Sequence, residues 1–293
     1  MEQSQTLRIV SKNSVKRTRT RTGVTRVISF TSGKGGVGKT NTVVNVALGL
    51  ARLGRSVLVF DADLGLANVD VMLGLRVEAT LHDVLEGHAS LEDIIISGPE
   101  GISIVPASSG IEEICNLDAQ KQARLIESVE EVAGTYDYLL IDTSAGISAD
   151  VMFFNSASSE IFCVVSPEPT SITDAYALIK VLSRNYGERS ISILVNNAST
   201  EQEALVAYRR LERATSRFLQ INLRYLGFIP SDESVRAAIL EQRGVLEVYP
   251  TSPASRAITQ LTSRIDAEFL ERKVKGGMQF FFKQLLEISA HGS

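Results

Sequence analysis

The chain has 293 residues, 44 % of them hydrophobic and 22 % charged, which suits a globular protein of one domain or at most two. Its formal net charge of −4 gives no global attraction to nucleic acid, and its two cysteines lack metal-ligand spacing. No apolar run reaches bilayer-spanning length and no signal peptide opens the chain, so the expected place is the cytoplasm or the cytoplasmic face of a membrane.

Residues 1–25 begin with a polar tail, Glu2-Gln3-Ser4-Gln5-Thr6-Leu7-Arg8, followed by a stretch carrying Lys12, Lys16, Arg17, Arg19 and Arg21. With Arg26 added, residues 11–26 contain no acid and almost no apolar side chain, the signature of a flexible basic linker. An apolar run at 27–30 then leads into Gly33-Lys34-Gly35-Gly36-Val37-Gly38-Lys39-Thr40, and a helical pattern follows over 41–53. The pattern G-x-x-x-x-G-K-T between a strand and a helix is a phosphate loop. Its glycines let backbone N–H groups turn inward, and the helix N-terminus adds partial positive charge. Lys39 is expected on the β- and γ-phosphates and the Thr40 hydroxyl on Mg²⁺. Gly33, Gly35 and Gly38 also satisfy G-x-G-x-x-G, with Asp61 in the place of a ribose-binding acid. Adjacent Lys39-Thr40 and a second strand-terminal acid, Asp142, favour a nucleoside triphosphate over a dinucleotide.

The next strand, 57–60, ends at Asp61-Ala62-Asp63; Asp61 is expected near the metal shell and Asp63 at the attacking water. Either could instead cap the following helix. Strands are expected at 102–105, 138–141, 161–165, 191–195 and 225–229, with helices at 118–133, 171–182 and 201–219. Non-alternating apolar strands separated by helices predict an α/β, P-loop NTPase fold. Its sheet is mostly parallel, of about seven or eight strands, with helices on both faces. Asp142-Thr143-Ser144-Ala145-Gly146 closes one strand: Asp142 joins Thr40 and Asp61 as a metal-side group, and Gly146 can sense a γ-phosphate. Asp63, Asp142 and Gly146 form the expected switch. Lys34 is a second loop lysine that can point at a neighbour's phosphate across a two-fold interface, as an arginine finger does in trans.

Beyond Gly276-Gly277, residues 276–293 show helical spacing, with Met278, Phe281, Phe282, Leu285 and Ile288 on one face. Such a face suits an amphipathic helix in a bilayer interface, helped by Arg272, Lys273 and Lys275 upstream. The alternative is a terminal helix docked on its own core, and the two can alternate.

The loop K-G-G-V-G-K-T, the run D-A-D-L-G-L-A-N-V-D from Asp61 to Asp70, and D-T-S-A-G together resemble the deviant Walker A ATPases of the MinD and ParA group, over roughly residues 26–266. The runs from Asp61, Glu168 and Ile229 resemble more narrowly the FlhG group of flagellar-number regulators. The resemblance implies an ATP hydrolase that pairs with ATP, over an ATPase domain spanning 26–275. In that family Asn196 and the Pro230-Ser231-Asp232 loop flank the adenine; the residues alone say only that both lie at strand ends on the ligand side. The tail resembles the family's D-Q-A-x-x-L-R element, which stimulates the GTPase FlhF. Gln3 would steady a water-orienting group in the partner, with Leu7 and Arg8 as anchors. Implied partners are a second copy, FlhF, flagellar switch or basal-body proteins, a flagellar transcription regulator and the inner-membrane surface at the cell pole, but no specific nucleic acid. A ParA-like partition ATPase that binds DNA through the basic linker is the main alternative. An iron–sulfur carrier lacks the paired cysteines it would need.

Overall fold

The computed structural model describes residues 25–63, 69–106, 119–132, 134–271, 277–278 and 280–284. In chain order the elements are β1 (Arg26–Ser32), α1 (Lys39–Arg52), β2 (Val57–Ala62), α2 (Val69–Leu73), α3 (Leu81–Leu85), α4 (Leu91–Ile94), β3 (Ile96–Ser97), β4 (Ser103–Val105), α5 (Ala119–Val132) and β5 (Tyr138–Ala145). There follow α6 (Ala149–Ala157), β6 (Glu160–Val165), α7 (Pro169–Asn185), β7 (Ser190–Ala198), α8 (Glu201–Phe218), β8 (Asn222–Pro230), α9 (Glu233–Leu240), α10 (Val245–Val248) and α11 (Pro253–Glu271). One eight-stranded sheet has the order β3-β4-β2-β5-β1-β6-β7-β8. Its pairings are parallel except for the short antiparallel edge of β3 on β4. The α/β architecture is the expected one.

The central strands are rich in apolar residues on both sides because both faces are covered. In β1, Ile28 and Phe30 join the cluster under α1, α10 and α11, while Val27 faces the opposite side. That opposite side is covered by α3, α4, α5 and α6, and farther along the sheet by α7 and α8. α8 shows the helical logic plainly: Ala204, Ala207, Leu211 and Thr215 recur every three or four residues and are buried, and Thr200 caps its first turn through Glu203 N.

Most elements run a few residues beyond the expected bounds, and two features differ in kind. Arg26 belongs to β1 rather than to the linker. It is 2 % exposed, holds Glu160 through Nε–Oε1 at 2.5 Å and Nη2–Oε2 at 2.8 Å, and donates to the Ile265 carbonyl. A buried guanidinium needs such partners, and composition could not reveal them. The two-residue strand β3 was not anticipated, being too short to show a period. The C-terminal segment at 277–278 and 280–284 lies on the core: Met278, Phe281 and Phe282 are 1 %, 1 % and 2 % exposed and pack with Phe60 and Phe154.

Strand order brings the C-terminal ends of β2, β5 and β1 side by side, with Asp61 opposite Asp142 and Asp142 opposite Phe30. Open α/β sheets bind ligands at such an edge.

Candidate functional site

After β1 the chain turns through Gly33–Thr40 into α1. Gly36 and Gly38 have φ of +80° and +84°, a left-handed geometry that favours glycine. Gly38 caps α1 with no side-chain bond, and no acid lies in the first turn. The open N–H groups and the positive end of the helix dipole are therefore left for an anion. Ser32, Gly35–Asn41, Asp63 and Ala145 line a cleft of about 220 Å³. Gly33 lies outside that lining and abuts α7, where a Cβ would stand 2.2 Å from the Asp174 backbone.

Lys39 Nζ is 2.5 Å from Asp142 Oδ1, the two side chains being 7 % and 0 % exposed. Burial drives the Asp142 carboxyl above the ordinary carboxylate range, although the Lys39 ammonium opposes the shift. Asp142 Oδ2 is buried and accepts no hydrogen bond. Asp61, fully buried, accepts from Asp63 N at 3.1 Å and from Val69 N at 3.0 Å, so it shapes the turn after β2 and the start of α2. The Ser144 hydroxyl donates to Asp63 Oδ1 at 2.9 Å. Gly146 N–H donates to the Ser32 carbonyl at 2.9 Å, and the Thr143 hydroxyl donates to the Phe30 carbonyl at 3.0 Å. The strand carrying the switch is thus strapped to the strand feeding the loop.

Lys34 lies on its own chain. Its Nζ is 2.7 Å from Glu168 Oε2 and 3.1 Å from Thr170 Oγ1, with 38 % of the side chain exposed. Its ammonium holds the Glu168 carboxyl below its usual range. Asn196 donates through Nδ2 to the Val37 carbonyl at 2.8 Å, bracing the phosphate loop from β7. Pro230 ends β8 next to Ala198, and Ser231 N–H bonds the Ala198 carbonyl, so the loop at Asp232 adjoins the Asn196 turn. Both Asp232 oxygens serve helix starts, at Ser234 N and Ala254 N, each at 2.9 Å. Burial pushes the Asp232 carboxyl up, but these N–H bonds outweigh it and hold it below the usual range.

The structure therefore gathers Gly35–Thr40 and Asp63 around one cleft, with Asp142 behind Lys39 and Asp61 beside Asp142. Lys34, Asn196, Pro230 and Asp232 do not line it: Asn196 braces the loop at Val37 and Pro230 and Asp232 follow the neighbouring strand end, while Met278, Phe281 and Phe282 lie under the sheet. Gln3, Leu7, Arg8, Leu285 and Ile288 fall outside the described residues. Sequence reasoning missed Ser144, Glu168, Thr170 and Asn41. Asn41 was the most legible of these, as the residue after Lys39-Thr40; its Nδ2 is buried without a hydrogen-bond partner beside the cleft.

Mg²⁺ fits the donor set. Thr40, Asp61 and Asp142 offer hard oxygens, and one of these, Asp142 Oδ2, is unpartnered. Among the described residues no group of three or more acidic, histidine or cysteine side chains could hold a metal alone. Mg²⁺ is usually held by one or two carboxylates together with substrate phosphates.

Residues 25–193 match the AAA domain family. The chain is 47 % identical to the antiactivator FleN of Pseudomonas aeruginosa over 268 residues, 92 % of this chain and 96 % of that protein. It is 35 % identical to the flagellum site-determining protein YlxH of Helicobacter pylori, over 90 % of this chain and 91 % of that one. Among solved structures it resembles the septum site-determining protein MinD of Pyrococcus horikoshii complexed with Mg-ADP. There the TM-score is 0.66 and the identity 30 %, covering 85 % of this chain and all of that one. A phosphate loop with two lysines, two strand-terminal acids in register and these likenesses agree: the chain belongs to the MinD/ParA family of AAA-domain ATPases, in the group of the flagellar regulators FleN and YlxH.

Proposed function

We propose that this chain is a slow, Mg²⁺-dependent ATP hydrolase acting as a switch: it pairs with a second copy when ATP is bound, attaches to the cytoplasmic membrane face, and sets flagellar number and placement. The observation that carries this reading is the pair Lys39–Asp142, buried at the mouth of α1 where a triphosphate would seat its β- and γ-phosphates.

On binding, Lys39 leaves Asp142 for the phosphates, and the open N–H groups of the loop and of α1 take the phosphate oxygens. Mg²⁺, when bound with the nucleotide, would be held through Thr40, Asp61 and Asp142 and would neutralise phosphate charge. Asp63, oriented by Ser144, accepts a hydrogen bond from the attacking water. The water oxygen bonds to the γ-phosphorus as the bond to the β–γ bridging oxygen breaks, giving ADP and phosphate. Gly146 can read the γ-phosphate only by leaving the Ser32 carbonyl, which ties nucleotide state to loop position. Lys34 exchanges Glu168 and Thr170 for the triphosphate of the second copy.

The docked segment at Met278, Phe281 and Phe282 supports a membrane helix held back in the unpaired form; together with Leu285 and Ile288 it would enter the bilayer interface once released. No described helix is long and apolar enough to cross a membrane. The antiactivator relative favours a flagellar transcription regulator as a partner, and the site-determining relative favours a role in placement at the cell pole. FlhF and the flagellar switch or basal-body proteins complete the partner set, with Gln3, Leu7 and Arg8 acting on FlhF.

The test is sizing the protein with ADP and with a non-hydrolysable ATP analogue, for the wild type and Asp63→Ala. Asp63→Ala is expected to bind and pair but to hydrolyse at least about a hundredfold more slowly. A chain that stays monomeric with the analogue, or an Asp63→Ala variant with full turnover, contradicts the assignment.

A further inference from the structure

Asn155 lies in α6, fully buried, seven residues after the Ile147-Ser148 turn that follows Gly146. Its carbonyl oxygen and both N–H groups are partnered, through three bonds. Ser29 Oγ donates to Asn155 Oδ1 at 2.8 Å, while Asn155 Nδ2 donates to Thr31 Oγ1 at 3.2 Å and to the Val151 carbonyl at 2.6 Å. Ser29 and Thr31 are likewise fully buried. They are the two polar side chains on the face of β1 that carries Val27, in an interface otherwise built from Val151, Phe154 and Ala157. β1 feeds the phosphate loop one residue beyond Ser32, and α6 starts right after the switch loop. The amide therefore joins the two elements between which a γ-phosphate signal must pass.

A purely apolar helix–strand contact can slide by small steps at little cost. A fully partnered amide in dry surroundings has one good position, because any slide leaves a polar group without a partner. We propose that Asn155 is a positioning residue of the nucleotide switch. It pins the far end of α6 to β1, so that movement of Gly146 away from Ser32 tilts α6 about that pin instead of being lost in slippage. The neighbouring residue, Phe154, stacks on Phe281 of the C-terminal segment at 6.2 Å, so the pin sits between the loop that senses and the surface that reads out. This inference rests on the nucleotide-switch reading above.

The experiment uses the full chain with two variants. Asn155→Leu removes the amide, leaves the Thr31 hydroxyl without it and leaves the Ser29 hydroxyl only the longer contact to the Glu160 carbonyl at 3.4 Å. The triple variant Ser29→Ala, Thr31→Val, Asn155→Leu makes the interface uniformly apolar and keeps it packed. ADP affinity, affinity for a non-hydrolysable ATP analogue, kcat and KM are measured. Hydrogen exchange over 278–284 is followed with each nucleotide. A folded triple variant should keep its ADP affinity within about twofold. It should lose about tenfold or more of the preference for the triphosphate and of kcat, with little change in KM. Its C-terminal segment should exchange alike in both nucleotides. Unchanged kcat and an unchanged nucleotide response in the triple variant overturn the inference. So does a fall in thermal stability with both affinities reduced in parallel, which is what a plain core role gives. A wild-type chain that binds neither nucleotide overturns the switch reading and this inference with it.

Discussion

Phe154→Ala tests whether the C-terminal segment is held by a surface that belongs to the switch. Phe154 stacks on Phe281 with ring centroids 6.2 Å apart and also meets Phe60 at 5.8 Å, while Phe60 meets Phe282 at 6.1 Å. Burying Met278, Phe281 and Phe282 contributes about 1.5–3 kcal/mol each, roughly 7 in all. The entropy lost in ordering the segment opposes this with a sum of the same order. Docked and released positions therefore lie within a few kcal/mol of each other. Removing the Phe154 ring deletes one aromatic pair with Phe281, about 1 kcal/mol, and about as much again in shared buried surface. A loss of about 2 kcal/mol changes the ratio of docked to released forms roughly thirtyfold.

The assay is hydrogen exchange at 278–284 in the ADP form, with vesicle co-sedimentation alongside. Protection should fall, and vesicle binding with ADP should rise toward the level the proposed switch predicts for ATP. The same substitution also costs the fold about 3–5 kcal/mol, so the measurement is made far below the unfolding midpoint. Phe154→Leu, which keeps most of the buried apolar volume and loses the stacking, should show a smaller shift in the same direction. A folded Phe154→Ala protein with wild-type protection and no added vesicle binding in ADP refutes the reasoning.

Lys39→Ala should abolish nucleotide binding by calorimetry and should also leave Asp142 buried without its partner, at about 3–5 kcal/mol in stability. A carboxyl whose folded pKa lies above its unfolded value binds more protons in the fold, so stability falls as pH rises. The deficit should therefore be largest above neutrality and shrink on acidification; a pH-independent deficit would contradict the buried-pair account. Gly38→Ala forces a side chain into φ +84° and 2.3 Å from Asn196 Nδ2. Left-handed strain alone is worth about 1–2 kcal/mol, and ADP affinity should fall at least tenfold. Undiminished affinity would mean that the Asn196 brace is dispensable. Burial pushes the Cys163 thiol up to about 12. In a Cys115→Ser background it should resist alkylation at pH 8 until the protein unfolds, and rapid labelling of the native form would show that β6 is not sealed.

The phosphate loop and the sheet were legible because both leave local marks. Glycine spacing fixes the loop, and strands covered on two faces carry dense apolar stretches, as Tyr138–Ile141 of β5 and Ile193–Val195 of β7 do. What was not legible is what lies far away in sequence. Lys34 and Glu168 are 134 residues apart, and Asn196 is 159 from Val37, so no window could pair them. Composition placed Arg26 among linker charges because charge is read before burial. The spacing of Met278, Phe281 and Phe282 announces an apolar face but not its cover, since a protein core and a bilayer interface both accept phenylalanine.

These internal pairings have a consequence for how the proposed switch reads its nucleotide. Lys39 sits on Asp142, Gly146 N–H on Ser32 and Asn196 on Val37, so a ligand must replace these bonds as well as fill the open N–H groups of the loop. Exchanging one hydrogen bond for another is worth only about 1 kcal/mol net. A diphosphate can draw the loop and Lys39 but has nothing to set against the bond from Gly146 to Ser32. In the proposed switch, a third phosphate would bring oxygens that compete for Gly146 and, across a pair of chains, for Lys34. Discrimination between ATP and ADP then arises from a few near-even exchanges made together, which is also why hydrolysis can reverse them.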